Sequence, residues 1–438
     1  MFDARDRLAR TAAHELTVDC LEAGIEAAHP ARAVERHCAV DGETLSIRGT
    51  EYDLSAYDAV RIVGGGKAAD DIAAAFETLL GDRVAGGVVV TNDRTAAPER
   101  VTVREGEHPT PGSGSVSGAR AVLDAAVGAD ERTLVIAAIA GGGSALLCAP
   151  AEGLSVDDLR AVTDGLLSAG ASIDETNTVR RACSEIKGGG LAAAAAPATV
   201  VGVLVSDVVG DDRSVIASGP TVPTATDPAT ARSVLERYGV DVPSVREWLR
   251  AAESTDAPSI VPDNHVIASG RDAIEAARRV ATERGYEPCV LSTRIEGESA
   301  AAGRIHAAIA AEIHDTGDPV DPPAVVLSGG ETTVRVTGDG DGGPNQEFAL
   351  AAAGELPDSL VLGAVDTDGS DGSTDAAGAL VDGETIDDPD AARAALADND
   401  SYGFLDARNG LLRTGPTGTN VNDLRVLVVP SASVDGSR

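Results

Sequence analysis

The stretch AVRIVGGGKAADDIAAAFETLLGDRVAGGVVVT (59–91) decides the fold class. It opens with a short apolar run, AVRIV (59–63), passes three glycines, and continues as KAADDIAAAFETLL (67–80), which is rich in helix formers. A second apolar run, GGVVVT (86–91), closes the unit. Strand, helix and strand of these lengths form a crossover, and strands apolar on both faces belong in a parallel sheet covered by helices. Further along, TLVIAAIA (133–140) and TVVGVLVS (199–206) are again continuous apolar strands. Helical patterns lie between them, around 119–127, over VDDLRAVTDGLLSAG (156–170) and in the segment leading into Lys187. Upstream, the first 45 residues read as helical with a break near Pro30.

Downstream, a Pro-rich stretch (220–228) leads into the helix TARSVLERYG (230–239), and the polar segment ESTDAPSIVPDN (253–264) interrupts the pattern. A new alternating series then begins, with strands HVIAS (265–269), PCVLST (288–293), AVVLS (324–328), TTVRV (332–336), SLVLGAV (359–365) and LRVLVV (424–429). A chain of 438 residues also exceeds what one core usually serves. The expectation is two α/β domains, residues 1–260 and 261–438, the first with a largely parallel Rossmann-like sheet, and an active-site cleft between them.

Composition narrows the function. The 70 acidic residues against 35 basic ones give a net charge of −35. Such a chain does not hold nucleic acid by neutralising phosphates, and it does not bind anionic lipid. No apolar stretch is long enough to span a membrane, and the charged N-terminus lacks a signal-peptide core. Five widely spaced cysteines without a CxxC pair point to a reducing cytoplasm. The acidic surface is read as adapted to molar salt, where the Debye length falls to about 3 Å. Oligomeric state is not legible, and homo-oligomerisation stays open.

Against that background the basic residues are informative. Of 35, 33 are Arg, and the only lysines are Lys67 and Lys187. Both adjoin a glycine triplet, GGGK (64–67) and KGGG (187–190). Where Arg fills nearly every basic position, a retained Lys suggests a site that needs a compact ammonium.

Three apolar strands run straight into glycines, at RIVGGGKA (61–68), AIAGGGSAL (138–146) and VLSGGETT (326–333). Strand–glycine–helix turns present backbone N–H groups to anions, so Gly64, Gly65, Gly66, Gly142, Gly143 and Ser144 are candidate ligand contacts. The Walker pattern fails, because Arg61 holds its first glycine position and Ala68 follows Lys67. A relaxed dinucleotide fingerprint does fit Gly64, Gly66 and Ala69, with Asp93 as the acidic partner. In DETNTVRRACSEIKGGGL (174–191), helical spacing gathers Asn177, Arg180 or Arg181, Ser184 and Lys187 into a face suited to carboxylate or phosphate. Asp207 and Asp211 follow a buried strand, where Mg²⁺ ligands often lie. DTDGSDGSTDAAGA (366–379) fails the EF-hand spacing, having Asp371 at the glycine place. There is no zinc or serine-hydrolase pattern, and among seven histidines His108, in GEHPTPGSG, is the one in a loop of functional appearance.

The motifs together resemble the class II glycerate kinases, whose C-terminal half contains the MOFRL region (here about 323–430). The matching segments run along nearly the whole chain: GGGKAA (64–69), GEHPTP (106–111), AGGGSALL (140–147), NTVRRACSEIKGGGLA (177–192), SDVVGDDRSVIASGPT (206–221), LSGGETTV (327–334), GGPNQEFALAAA (342–353), DTDGSDGSTDAAGALVDG (366–383), NDSYGFL (399–405) and TGPTGTNVNDL (414–424). The resemblance implies phosphorylation of D-glycerate by ATP with Mg²⁺, giving 2-phosphoglycerate. It assigns the essential lysine to Lys67. Two positions depart from the usual pattern: Pro344 stands where many members have an essential Arg, and Ala182 where many have His. Set beside the physical reading, Lys67 and Asp207 are the expected catalytic pair, Asp207 and Asp211 the Mg²⁺ ligands. Ser144, Asn177, Arg180 and Lys187 would hold the substrate, and Gly64–Gly66, Gly142, Gly143, Asn345, Gln346, Glu347, Asp366 and Asp368 the nucleotide. The competing readings are an NAD(P)H-dependent hydroxypyruvate reductase and a non-catalytic sensor.

Overall fold

A computed structural model describes residues 1–431; 432–438, the tail of the expected second domain, lie outside the described residues. The chain divides into two compact units, one of Pro30–Ile267 and one of Met1–His29 with the chain from Ala268 onward. This differs from a boundary at 260 in two places, each with a packing reason. The strand Asp263–Ala268 is the last strand of the first unit's sheet. The helix Ala12–Ala28 is buried on most of its surface and packs on the helix Gly270–Glu283 and the strand Asp423–Val429, inside the unit that begins again at Ala268. Gly24 permits that approach, since a Cβ there would lie 3.1 Å from the Ala273 carbonyl oxygen.

The unit Pro30–Ile267 carries a six-stranded sheet in the order Val101–Glu105, Val84–Thr91, Ala59–Gly65, Thr133–Ile139, Thr199–Val205, Asp263–Ala268. The four registered pairings from Val101–Glu105 across to Thr199–Val205 are parallel. The chain builds outward in one direction from Ala59–Gly65 and then in the other from Thr133–Ile139, so the strand order reverses between these two. In open α/β sheets that reversal marks the ligand crevice, beyond the carboxyl ends of the strands. All seven residues of Thr133–Ile139 are buried, as a strand covered on both faces requires. At roughly 1.5–3 kcal/mol per large aliphatic side chain, Leu134, Val135, Ile136 and Ile139 anchor the sheet.

Four helices, Val156–Ser168, Ile173–Ala182, Pro228–Tyr238 and Pro243–Ala251, form a satellite core of their own around Val162, Leu166, Val179, Leu235 and Leu249. Their starts are encoded locally. Ser155 with Asp158 and Ser172 with Glu175 form capping boxes, and Pro228 and Pro243 open the other two helices at a position that needs no N–H donor. The strands Cys38–Asp41, Thr44–Ile47 and Thr50–Asp53 form a small antiparallel sheet where the sequence reads as helical up to residue 45.

The second unit holds a mixed six-stranded sheet in the order Glu287–Glu298, Ala324–Thr333, Asp423–Val429, Val361–Asp366, Gly378–Asp382, Leu411–Leu412. Only the first pair is parallel. VLSGGETT is not a turn. The strand Ala324–Thr333 runs through it, and Gly330 lets the neighbouring strand approach, a Cβ there lying 2.2 Å from the Ile295 carbonyl oxygen. Residues 334–336 of TTVRV lie outside the strand. Among the described residues no helix is long and apolar enough to cross a membrane, and the five cysteines are free thiols.

Candidate active site

The glycine turns after Ala59–Gly65 and Thr133–Ile139 meet at the strand-order reversal. The Lys67 N–H bonds the Gly141 carbonyl oxygen at 2.8 Å, and the Lys67 carbonyl accepts from Thr91 Oγ1 at 3.2 Å. Gly64 and Gly66 have φ of 147° and 142°, and Cβ atoms there would lie 2.0 Å from the Ala138 oxygen and 2.4 Å from the Ala140 oxygen. Close backbone packing therefore accounts for these two glycines. Gly142, with φ 75°, is flanked by Lys67 and His108: a Cβ at Gly142 would lie 3.2 Å from Lys67 Cγ and 3.0 Å from His108 Cδ2. Asp207 lies against Gly141, its Oδ2 2.2 Å from where a Cβ would stand. Lys67, His108, Asp207 and the glycine turn thus form one contiguous group.

Beside this group opens a cavity of about 430 Å³ between the sheet's carboxyl end and the four-helix satellite. Its polar lining includes Ser144, Arg160, Arg180, Lys187 and His108. Asp164 is the one carboxylate in the lining; against it stand two guanidiniums and an ammonium, so in a chain of net charge −35 the cavity carries an excess of cations suited to an anion. Burial holds the Arg180 guanidinium below its ordinary range. Lys187 is buried, its Nζ donating to the Ser144 carbonyl at 2.7 Å and toward that of Leu147 at 3.5 Å. Burial above all, with Arg180 and Arg181 adding repulsion, lowers its pKa to about 7.

Asn177, Arg180, Ser144 and Lys187 come together as the sequence suggests, but not on one helix. The helix ends at Ala182, and Lys187 arrives through the following turn, where Gly188 and Gly189 take φ of 59° and 89°. Arg180 faces the cavity, whereas Arg181 Nη2 bonds the Ser214 carbonyl at 2.6 Å. Ser184 bonds the Ala149 carbonyl at 3.2 Å. Asp211 sits in the turn after Asp207 with φ 58°. Ser218, which sequence reasoning did not single out, is fully buried between Ser144 Oγ (2.8 Å) and Asn177 Oδ1 (3.1 Å). Its only sequence signal is the short SGPT segment ahead of the Pro-rich stretch. Arg160, also missed, comes from a helix that reads as ordinary amphipathic surface.

The dinucleotide reading of the first turn meets an obstacle. The helix Ala69–Leu80 carries Asp70 and Asp71, both buried, in its first turn. Asp70 already takes the N–H groups of Thr95 and Ala96, each at 2.9 Å. Two carboxylates where a pyrophosphate should sit oppose it.

In the second unit, Asn345, Gln346 and Glu347 are buried rather than presented as ligand contacts. The backbone N–H groups of Asn345 and Gln346 hold the two oxygens of Asp371 at 2.9 and 2.8 Å, and Asn345 Nδ2 also bonds Asp423 at 2.6 Å. Glu347 accepts from Asn399 Nδ2 at 3.2 Å. Pro344 opens their helix at its first position. Burial pushes Asp371 up to about 7, and burial with repulsion from Asp368 and Asp423 pushes Asp366 well up. The Asp366 and Asp368 carboxylates cap backbone N–H groups within their own loop, of Asp368 at 3.1 Å and Ser370 at 2.9 Å.

Comparison with known proteins agrees with this architecture. Residues 16–250 match a domain of unknown function, DUF4147, and residues 324–423 match the MOFRL family. A "Glycerate 2-kinase" of Pyrococcus horikoshii is 40% identical over 427 residues, covering 93% of this chain and 95% of that one. A relative from Agrobacterium vitis, 42% identical over 84% of this chain and 86% of its own, carries a provisional hydroxypyruvate reductase name. The crystal structure of a glycerate kinase from Thermotoga maritima superposes with a TM-score of 0.83 at 35% identity, covering 95% of this chain and 99% of that one.

Proposed function

The chain belongs to the MOFRL-type glycerate kinase family, and from that premise we propose that it transfers the γ-phosphoryl group of ATP to the 2-hydroxyl of D-glycerate. The observation that carries the reading is the cationic cavity at the strand-order reversal of a strongly acidic chain. Arg180 and Lys187 take the glycerate carboxylate, and Asn177 and Ser144 orient the molecule. The substrate oxygen attacks the γ-phosphorus as the bond to ADP breaks, and Lys67 offers a compact cation where charge develops. Asp207, beside Gly141, receives the hydroxyl proton or holds the metal.

Mg²⁺ is commonly bound by one or two carboxylates with phosphates completing its shell; Asp207, beside the glycine turn, would be the first such ligand and Asp211, in the turn after it, the second. When bound, it neutralises and aligns the phosphates. Asp366 and Asp368 of the second unit are the proposed nucleotide-binding carboxylates, and a bound cation would offset their repulsion of phosphate. Asn345, Gln346 and Glu347 act there by holding Asp371 and Asn399 in place. The enzyme is proposed to be cytoplasmic and adapted to high salt.

The test is formation of phosphoglycerate from D-glycerate and ATP, with the isomer read by phosphorus NMR. A hydroxypyruvate reductase would instead oxidise NADH with hydroxypyruvate. Asp70 and Asp71, at the helix start where a dinucleotide would place its pyrophosphate, weigh against that alternative.

A further inference from the structure

The polar chain behind the cavity fixes the direction of each of its hydrogen bonds. Arg180 Nη1 stands 3.5 Å from one atom of the Asn177 amide, and a guanidinium only donates, so that atom is the oxygen. Ser218 Oγ lies 3.1 Å from the same oxygen and must spend its single proton there. Ser144 Oγ lies 2.8 Å from Ser218 Oγ, and because the Ser218 proton is committed, Ser144 donates at that contact. Ser144 therefore faces the cavity with lone pairs only.

The backbone enforces this arrangement. Ala217 and Ser218 take φ of 51° and 64°, two successive non-glycine residues in the left-handed region, and Ser218 is completely buried. Strain of this kind persists only where its surroundings hold it. Around Ser144 the cavity offers donors, from Arg160, Arg180 and Lys187, that suit a carboxylate.

We propose that Ser144 accepts a hydrogen bond from the substrate's spectator hydroxyl, the one that is not phosphorylated, and so selects hydroxyl-bearing acids over those with an anion at that carbon. The inference rests on the cavity being the glycerate site. The reacting hydroxyl is excluded as its partner, because that oxygen must shed its proton and Ser144, its own proton committed to Ser218, is a very weak base. The 3-hydroxyl remains. D-Lactate lacks that donor, and hydroxymalonate replaces it with a carboxylate, which would set lone pairs against lone pairs.

The experiment compares wild type, Ser144→Ala and Ser218→Ala. In wild type, kcat/KM for D-glycerate should exceed that for D-lactate by about tenfold, the scale of one hydrogen bond. In Ser144→Ala the ratio should fall to within about twofold of unity on the same scale. Ser218→Ala releases the Ser144 proton toward the cavity, so hydroxymalonate should inhibit about tenfold more tightly while KM for D-glycerate rises. A D-glycerate to D-lactate ratio unchanged in Ser144→Ala overturns the proposal, as does unaltered hydroxymalonate inhibition in a folded Ser218→Ala. Should Ser218→Ala not fold, the Ser144→Ala ratio decides alone. If wild type makes no phosphoglycerate, the kinase reading falls, and calorimetric titration of the three acids decides instead. A wild-type preference for D-glycerate over both others that disappears in Ser144→Ala then upholds the role of Ser144. Absence of that preference, or of any binding, overturns it.

Discussion

Lys187 should take up a proton when an anion enters the cavity. Its ammonium is buried and donates to the Ser144 and Leu147 carbonyls, and its pKa stands at about 7, chiefly through burial. At pH 8 only roughly a tenth of the free enzyme would carry the charge. A carboxylate beside Nζ restores the ordinary lysine range, so binding D-glycerate at pH 8 should draw in roughly 0.8–0.9 proton. At pH 6 the lysine is already charged in the free enzyme, and uptake should fall to about 0.1 proton or less. The sign is set by the depressed value: the free state releases the proton first as pH rises, so uptake on binding grows from about pH 6, reaches about half a proton near pH 7 and approaches one above pH 8. Titration calorimetry at both pH values, in buffers of different ionisation enthalpy, measures the uptake as a slope. Lys187→Met should remove it. A zero slope at pH 8 in wild type, or the same slope in the variant, would refute the assignment of Lys187 to the anion.

Gly64→Ala sets a Cβ 2.0 Å from the Ala138 carbonyl oxygen at φ 147°, so it should cost at least about 3 kcal/mol and lower Tm by roughly 6–12 °C; an unchanged melt would contradict the packing account. Gly141→Ala meets the Asp207 side chain from Oδ2 back to Cβ and displaces its carboxylate, so kcat should fall on the order of a hundredfold, and retained kcat in a folded variant would remove Asp207 from the chemistry. Raising KCl from 0.1 to 2 M should increase Tm by screening the net charge of −35, and a flat or falling melt would count against salt adaptation.

The inner strands of the first sheet were legible as apolar runs, two of them ending in a glycine triplet, whereas the edge strand Val101–Glu105 escaped because it is largely polar, and Asp263–Ala268 was read into the second domain. The antiparallel sheet at 38–53 escaped because its strands are only four residues long and joined by turns, leaving too short a periodicity to read. Arg180 and Lys187 stood out by type and position. What they do together did not, since the helix ends at Ala182 and Lys187 reaches the cavity from the non-helical segment that follows. Gly64 and Gly66 carried a signal with two meanings, ligand contact or backbone packing, and only the distance to Ala138 and Ala140 separates them. Ser218 was hidden because a left-handed serine has no sequence signature. The placement of Ala12–Ala28 in the second unit was equally hidden, since an apolar helix does not name its partner.

Phosphoryl transfer itself can be tested directly. D-glycerate, ATP and Mg²⁺ would be incubated in molar KCl with wild type and Lys67→Ala side by side, and the products resolved by phosphorus NMR. Wild type should yield ADP and 2-phosphoglycerate, with turnover reduced at least about a thousandfold in Lys67→Ala. Folded wild type that forms neither product would contradict the kinase reading, and a Lys67→Ala variant that keeps full turnover would contradict the place given to Lys67.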